Sequence, residues 1–192
     1  MSTLIVAGLD PSLSNFGLVK GILDLSGSSP TFNLTDMLLQ ESKATDKKSQ
    51  KVVRKNSDDL DRARLLHTGM TEFIRDVDIV CVEIPVGSQS ARAMASYGIC
   101  IGVIASINKP LIQVTPTEVK VAATGRKTAT KAEMIEWATS IYPSAGWLTR
   151  VVKGQTFLVS KNEHLADALA AIKAGVQTDT FKQMQAFYKL AS

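Results

Sequence analysis

Residues 4–23 read LIVAGLDPSLSNFGLVKGIL, an apolar run that ends in one carboxylate, Asp10, and resumes as apolar chain after a short PSLSN link. Two apolar runs joined by Pro, Ser and Asn predict two buried strands, over 3–9 and 16–25, running back to back. Gly27 and Pro30 then bracket a turn before a third strand at 31–40. The geometry leaves Asp10 at the tip of a buried strand, where a carboxylate loses hydration unless a partner replaces it. Finding that partner organises the rest of the reading.

The chain downstream alternates. KATDKKSQKVVRKNS, residues 43–57, holds six Lys or Arg against one Asp and reads as an exposed loop or basic arm. A helix is expected from Ser57 to about Arg75, with Asp58 and Asp59 suiting its first turn. VDIVCVEI (77–84) is a short β-branched run, hence a buried strand, and it carries Glu83 at its end. A long helix follows over about 88–107, then a short strand at 110–114. Thr115-Pro-Thr-Glu118 and Thr130-Lys-Ala-Glu133 have the spacing of capping boxes and so mark two helix starts. Residues 143–160 show no regular period. NEHLADALAAIKAG (162–175) is amphipathic, with Asn162 as candidate cap and Gly175 as stop, and a last helix is expected near 178–190. The order βββ-α-β-α-β-α predicts an α/β fold: a mixed five-stranded sheet flanked by helices.

Over 192 residues an apolar fraction of 45% suffices for one core. Cys81 and Cys100 both lie in apolar runs and read as buried thiols rather than a disulfide. No stretch has membrane-spanning length and no leader pattern opens the chain, so a soluble, cytoplasmic protein without a membrane partner is expected. The formal charge of +4 permits a polyanionic partner without demanding one.

Three acids share one odd setting. Asp10 ends the first strand, Glu83 ends a later one, and Asp167 lies on a helix one turn after His164, beside Leu165, Ala166 and Leu169. Each has a plainer reading: a turn former, a strand end, a solvated helix face. Together they fit adjacent strand ends crossed by a helix. Carboxylates gathered in that way repel one another unless a hard divalent cation binds them, and two such ions can drive phosphodiester hydrolysis.

At this level of detail the chain resembles the RuvC-type Holliday junction resolvases, and its long basic stretch suggests a phage-type or otherwise divergent member. GLDPSLSNFGL resembles their first motif. VEIPVGSQSARAMASYGICIG resembles the second, with Gly98 and Gly102 at matching places. VKVAATGRKTATKAEM resembles their basic region through Lys120 and Lys131, and EHLADALAAI resembles the last motif, in which Asp or His precedes a final Asp by three. The match is collinear over about residues 4–175. It implies an RNase H-like nuclease domain over 1–175, carrying the basic insertion, and a C-terminal helix or tail over 176–192. It also implies a homodimer, binding to four-way and other branched DNA in recombination and repair, and two Mg²⁺ ions per site, with Mn²⁺ as a substitute. Asp10, Glu83, His164 and Asp167 would be the catalytic and metal-binding residues, and cleavage would leave 5′-phosphate and 3′-hydroxyl ends. The chain departs from the family at Val86, where members carry a junction-probing aromatic residue.

Lys120, Arg126, Lys127 and Lys131 gather around two helix starts, whose backbone N–H groups attract phosphate. Arg126 and Lys127 can equally be a solvated loop. Lys47, Lys48, Lys51 and Arg54 form the second candidate DNA contact. Ala91, Ala95, Gly98 and Gly102 make a small-residue helix face, suited either to a second copy of the chain or to its own sheet, against which Met94, Ile101 and Ile104 would pack. Two other functions fit parts of the sequence. One is half of an actin-like ATPase or sugar-kinase phosphotransferase, for which DPSLSNFG is a suitable phosphate turn. The other is a non-catalytic branched-DNA-binding protein.

Overall fold

The computed structural model describes residues 3–43 and 52–190, with side chains described over 3–43 and 56–187. Lys47, Lys48 and Lys51 therefore lie outside the described residues, and of Arg54 only the backbone is described. Strands β1 (Thr3–Asp10), β2 (Asn15–Asp24) and β3 (Thr31–Glu41) form the expected meander. Helix α1 (Val52–Phe73) leads to β4 (Ile79–Glu83), α2 (Ala91–Ala105) and β5 (Leu111–Val114). Helices α3 (Pro116–Thr124) and α4 (Lys131–Ile141) precede a hairpin, β6 (Thr149–Val152) and β7 (Gln155–Leu158). Helices α5 (Asn162–Gly175) and α6 (Asp179–Leu190) end the described chain.

The main sheet has the order β3-β2-β1-β4-β5. β1 pairs antiparallel with β2 and parallel with β4, and β4 pairs parallel with β5. Alternation along the strands divides the core in two. Ala7, Leu9, Val80 and Val82 point to one face, where Leu66, Met70 and Phe73 of α1 and Cys100, Val103 and Ile104 of α2 cover them. Leu4, Val6, Ile79, Cys81 and Ile112 point to the other, beneath α3, α4 and α5, with Phe181 docking α6 at its margin.

α5 is the helix nearest the sheet. Its buried positions are mostly alanine (Ala166, Ala168, Ala170, Ala171, Ala174), and the strands beneath supply glycine. A Cβ at Gly8 would overlap the Ala168 carbonyl, one at Gly17 the His164 carbonyl, and one at Gly175 the Cys81 thiol. Small residues on both sides let the backbones approach, while Leu165, Leu169 and Ile172 supply the apolar burial, about 1.5–3 kcal/mol each.

Three local expectations are corrected. α1 begins at Val52 rather than Ser57, because no Pro or Gly interrupts 44–68, so the end of the basic stretch is helix and not loop. Asp58 and Asp59 consequently lie inside α1, and Asp59 is buried against Arg92 of α2 at 2.5 and 2.7 Å. Asn162 does not cap α5. Its buried side chain accepts from Leu148 N–H at 2.9 Å and donates to the Leu148 carbonyl at 2.8 Å. Gly175 ends α5 as expected, though without left-handed geometry, and its lack of a side chain also serves the contact with Cys81.

Both cysteines are buried and free. Among the described residues no helix is long and apolar enough to cross a membrane.

The close approach of α5 can be measured. Gly8→Ala, which sets a methyl group against the α5 backbone, is expected to lower unfolding free energy by about 1–3 kcal/mol in urea denaturation. An unchanged midpoint would mean that α5 is not held this tightly.

Candidate active site

Leu9 of β1 lies level with Val82 of β4, and both face the α1–α2 layer. The next residue on each parallel strand, Asp10 and Glu83, therefore faces α5 at the carboxyl end of the sheet. Opposite Asp10 on β2 is Gly17, over which the His164 carbonyl rests. That contact brings His164 Nδ1 to 2.6 Å from Asp10 Oδ2. Asp167, one turn further along α5, joins the same pocket, and its Oδ1 is buried without a hydrogen-bond partner. The four residues singled out in the sequence thus come together, although 154 positions separate Asp10 from His164.

The electrostatics are those of crowded anions. Burial, with the charges of Asp10 and Asp167, pushes the Glu83 carboxyl up to about 8, and Lys120 offsets this in part. Burial and the charges of Asp10 and Glu163 push Asp167 up to about 7, against His164 and Lys120. Burial works against a charged imidazole at His164, but the hydrogen bond and charge of Asp10, supported by Glu163 and Asp167, outweigh it and leave its pKa above 6.5.

A cation is what such a cluster lacks, and the unpartnered Asp167 oxygen and the mutual repulsion of the acids fit one. As placed, no group of three His, Cys, Asp or Glu side chains among the described residues is arranged to hold an ion. His164 Nδ1 and Asp10 Oδ2 are engaged with each other, which leaves His164 Nε2 and Asp10 Oδ1 as the atoms that could meet a metal with that bond intact.

The sequence reading missed Glu163. It is mostly buried beside His164, with 3.6 Å between Glu163 Oε1 and His164 Nε2, and it holds Lys131 Nζ at 2.8–2.9 Å. The available signal was its place in the first turn of α5, next to the His–Asp pair.

The basic candidates divide. Lys120 and Lys131 lie near enough to the acids to act on their charge. Arg126 instead pairs with Glu133, which that contact and the α4 cap hold down to about 2. Lys127 is exposed in the α3–α4 connection. The helix starts at α3 and α4 are not open phosphate sites as expected, because both capping boxes form and Thr115–Glu118 and Thr130–Glu133 occupy their leading N–H groups. On α2, Gly98 and Gly102 face open space rather than the sheet, and Met94 and Ile101 are exposed too, leaving only Ile104 of the expected inward set buried. Val86 stands in the β4–α2 connection, 81% exposed.

No protein-family model matches the sequence, and no curated protein matches it significantly. Solved structures do match. Thermus thermophilus RuvC in complex with a Holliday junction substrate aligns over 95% of this chain and 96% of its own, with 20% identity and a TM-score of 0.60. The fold is that of RuvC. A second Thermus thermophilus RuvC structure agrees, with a TM-score of 0.61 at 20% identity over 95% and 97% of the two chains. The sheet order and flanking helices are accordingly RNase H-like.

The raised carboxyls set a pH dependence without any cation. The folded chain keeps protons on Glu83 and Asp167 up to about pH 8 and 7, whereas the unfolded chain releases them near 4.5 and 3.8. Between those limits the folded state binds more protons, so stability of the metal-free protein falls as pH rises from about 4 to 8. Asp167→Asn removes one contributor and is expected to raise the metal-free melting temperature at pH 8 by roughly 3 °C or more, with little effect at pH 4. Equal shifts at both pH values would remove Asp167 from the repelling cluster.

Proposed function

We propose that the chain is a metal-dependent endodeoxyribonuclease that resolves four-way DNA junctions by paired, symmetric nicks. The observation that carries this reading is the convergence of Asp10, Glu83, His164 and Asp167 at the carboxyl ends of β1 and β4, on a full-length RuvC fold. Asp10, Glu83 and Asp167 are the oxygen ligands, with His164 as a nitrogen ligand through Nε2. Two Mg²⁺ ions bound by these groups, or Mn²⁺ in their place, supply Lewis acidity toward the scissile phosphate.

The protein's own groups then have separate tasks. Burial of Asp167 Oδ1 without a competing donor keeps a strong acceptor in reserve. Lys120 and Lys131 meet the phosphate backbone beside the acids and reduce the repulsion between two anionic surfaces. The tether from Lys131 to Glu163 holds that ammonium at the mouth of the site.

Neither rival fits as well. Alignment over 95% of this chain and 96% of a RuvC chain favours a resolvase over half of an actin-like ATPase. A binding protein without catalysis has no need to bury repelling acids at a cost in stability.

The test uses synthetic four-way junctions beside linear duplex. Asp10→Asn, Glu83→Gln and Asp167→Asn are each expected to lower Mg²⁺-dependent junction cleavage by roughly 10³-fold or more, with junction affinity within about threefold of wild type. Wild-type-rate cleavage by any of them excludes that residue as a ligand. Failure of the parent to cut junctions at all overturns the reading.

Symmetric nicking requires two sites, and we infer a homodimer through α2. Gly98, Gly102, Met94 and Ile101 are open there, beside a groove of about 650 Å³ lined by Leu60, Ala63 and Ile99. Nothing lies within 4 Å of a Cβ at Gly98, so Gly98→Leu folds freely but props a facing helix away. Sedimentation of the variant is expected to show monomer where the parent is dimer, and a dimer as tight as the parent's would place the interface elsewhere.

A further inference from the structure

Half of the strand residues of the β6–β7 hairpin are apolar, and yet the hairpin packs little on the described residues. All eight strand residues are exposed, among them Val151 at 70% and Phe157 at 45%. No helix or strand of the main body packs substantially against it among the described residues. Its shape is nonetheless well defined. The turn residues Lys153 and Gly154 both have positive φ, 51° and 79°, the two-residue geometry that matches strand twist. At its base Asn162 clamps Leu148 through two hydrogen bonds, and Val159 N–H donates to the Leu148 carbonyl at 3.1 Å. Asn162 lies in the first turn of α5, two residues before His164, so the hairpin is anchored to the helix that carries the acidic cluster. Four residues per strand give it a reach of about 13 Å from that anchor.

Its chemistry points to one occupant. From Trp137 to Asn162 the chain contains no Asp or Glu, while Arg150, Lys153 and Lys161 fall within this span. Arg150 and Lys153 make no ion pair with any described residue. Arg150 is the direct cross-strand partner of Phe157, so guanidinium and phenyl ring stand on the same face, followed by Val152 and Gln155. An exposed ring beside an unpaired cation, on an acid-free finger, complements a nucleobase and its phosphate, because every base has a π-face to stack.

We propose that the β6–β7 hairpin is a nucleic-acid-contacting finger in which Phe157 and Arg150 form a stacking platform for an unpaired base next to the acidic cluster. The inference rests on the nuclease reading for its substrate class, and assigns within it the element that engages unstacked DNA. Bases thereby cover the face that carries Phe157 and Val152, and Arg150 and Lys153 hold the flanking phosphates.

The test is binding of the metal-free full chain to single-stranded oligothymidylate carrying one 2-aminopurine, which loses fluorescence when it stacks on an aromatic ring. The parent is expected to quench the probe. Phe157→Ala and Arg150→Ala are each expected to weaken binding about tenfold, with Phe157→Ala also abolishing the quench. Phe157→Tyr is expected to restore both, and Phe157→Leu, which keeps apolar bulk without a ring, to restore neither. Parental binding and quenching by Phe157→Ala, or full rescue by Phe157→Leu, overturns the proposal. So does absence of binding by the parent, or an effect of Phe157→Ala confined to sedimentation, which would make the hairpin a protein–protein contact. Junction cleavage by the parent reads the nuclease function separately. A parent that quenches but never cuts junctions refutes that function and leaves the finger standing, whereas normal cutting with parental binding by Phe157→Ala refutes the finger alone.

Discussion

The backbone-close packing of α5 on β1 and β2 is the constraint from which the rest of this structure follows. Gly8 and Gly17 on the strands and the alanines on the helix remove the side-chain layer that normally separates a helix from a sheet. The consequence is chemical as much as mechanical. With the helix this low, His164 and Asp167 reach the level of the strand ends instead of passing above them, and His164 bonds to Asp10 at 2.6 Å. A longer side chain at Gly17 would lift α5 and separate the two halves of the cluster, even with all four functional side chains unchanged.

That arrangement works against stability at neutral pH. Glu83 and Asp167 are buried among like charges, and the fold answers with Lys120 and the His164–Asp10 bond rather than with full neutralisation. The apolar burial on both sheet faces has to carry the strain, and the ion pair of Asp59 with Arg92 joins α1 to α2 on the opposite side. Local rules are broken where chemistry is concentrated and obeyed elsewhere, as in the two complete capping boxes of α3 and α4.

The sequence made the sheet legible because β1, β2, β4 and β5 are apolar runs and turn-forming residues such as Pro11, Gly27, Pro30 and Pro85 separate the elements. The cluster was legible because its acids end apolar runs, a setting with few innocent explanations when it recurs. What escaped has physical reasons as well. Asn162 stands where a cap belongs, but a tertiary partner, Leu148, outcompeted the local one. The hairpin within 143–160 has β-branched residues and a Lys-Gly turn, yet its apolar residues face solvent, so no alternation of buried and exposed positions announced it. Met94 and Ile101 were expected inward because they are apolar, although hydrophobicity alone does not choose a helix face. Glu163 was hidden by adjacency, since a charged residue in a first helical turn is ordinarily only a dipole partner.

The distribution of cations completes the logic. Several basic groups of the chain are already paired, Lys131 with Glu163 beside the acidic pocket, and Arg126 with Glu133 and Lys161 with Glu41 elsewhere. Such partly exposed pairs are individually weak, about 0–1 kcal/mol, so exchanging a carboxylate for a phosphate costs little. They keep positive charge positioned near the site without collapsing it onto the buried acids, where it would compete with a cation. For a polyanion approaching the carboxyl end of the sheet, the first charges met are then releasable ammonium and guanidinium groups, and the repelling carboxylates lie behind them. On the proposed function this layering is useful, because a strong internal salt bridge to Glu83 or Asp167 would occupy the oxygens proposed to hold the cation, and a permanently paired Lys131 would be lost to the phosphate backbone.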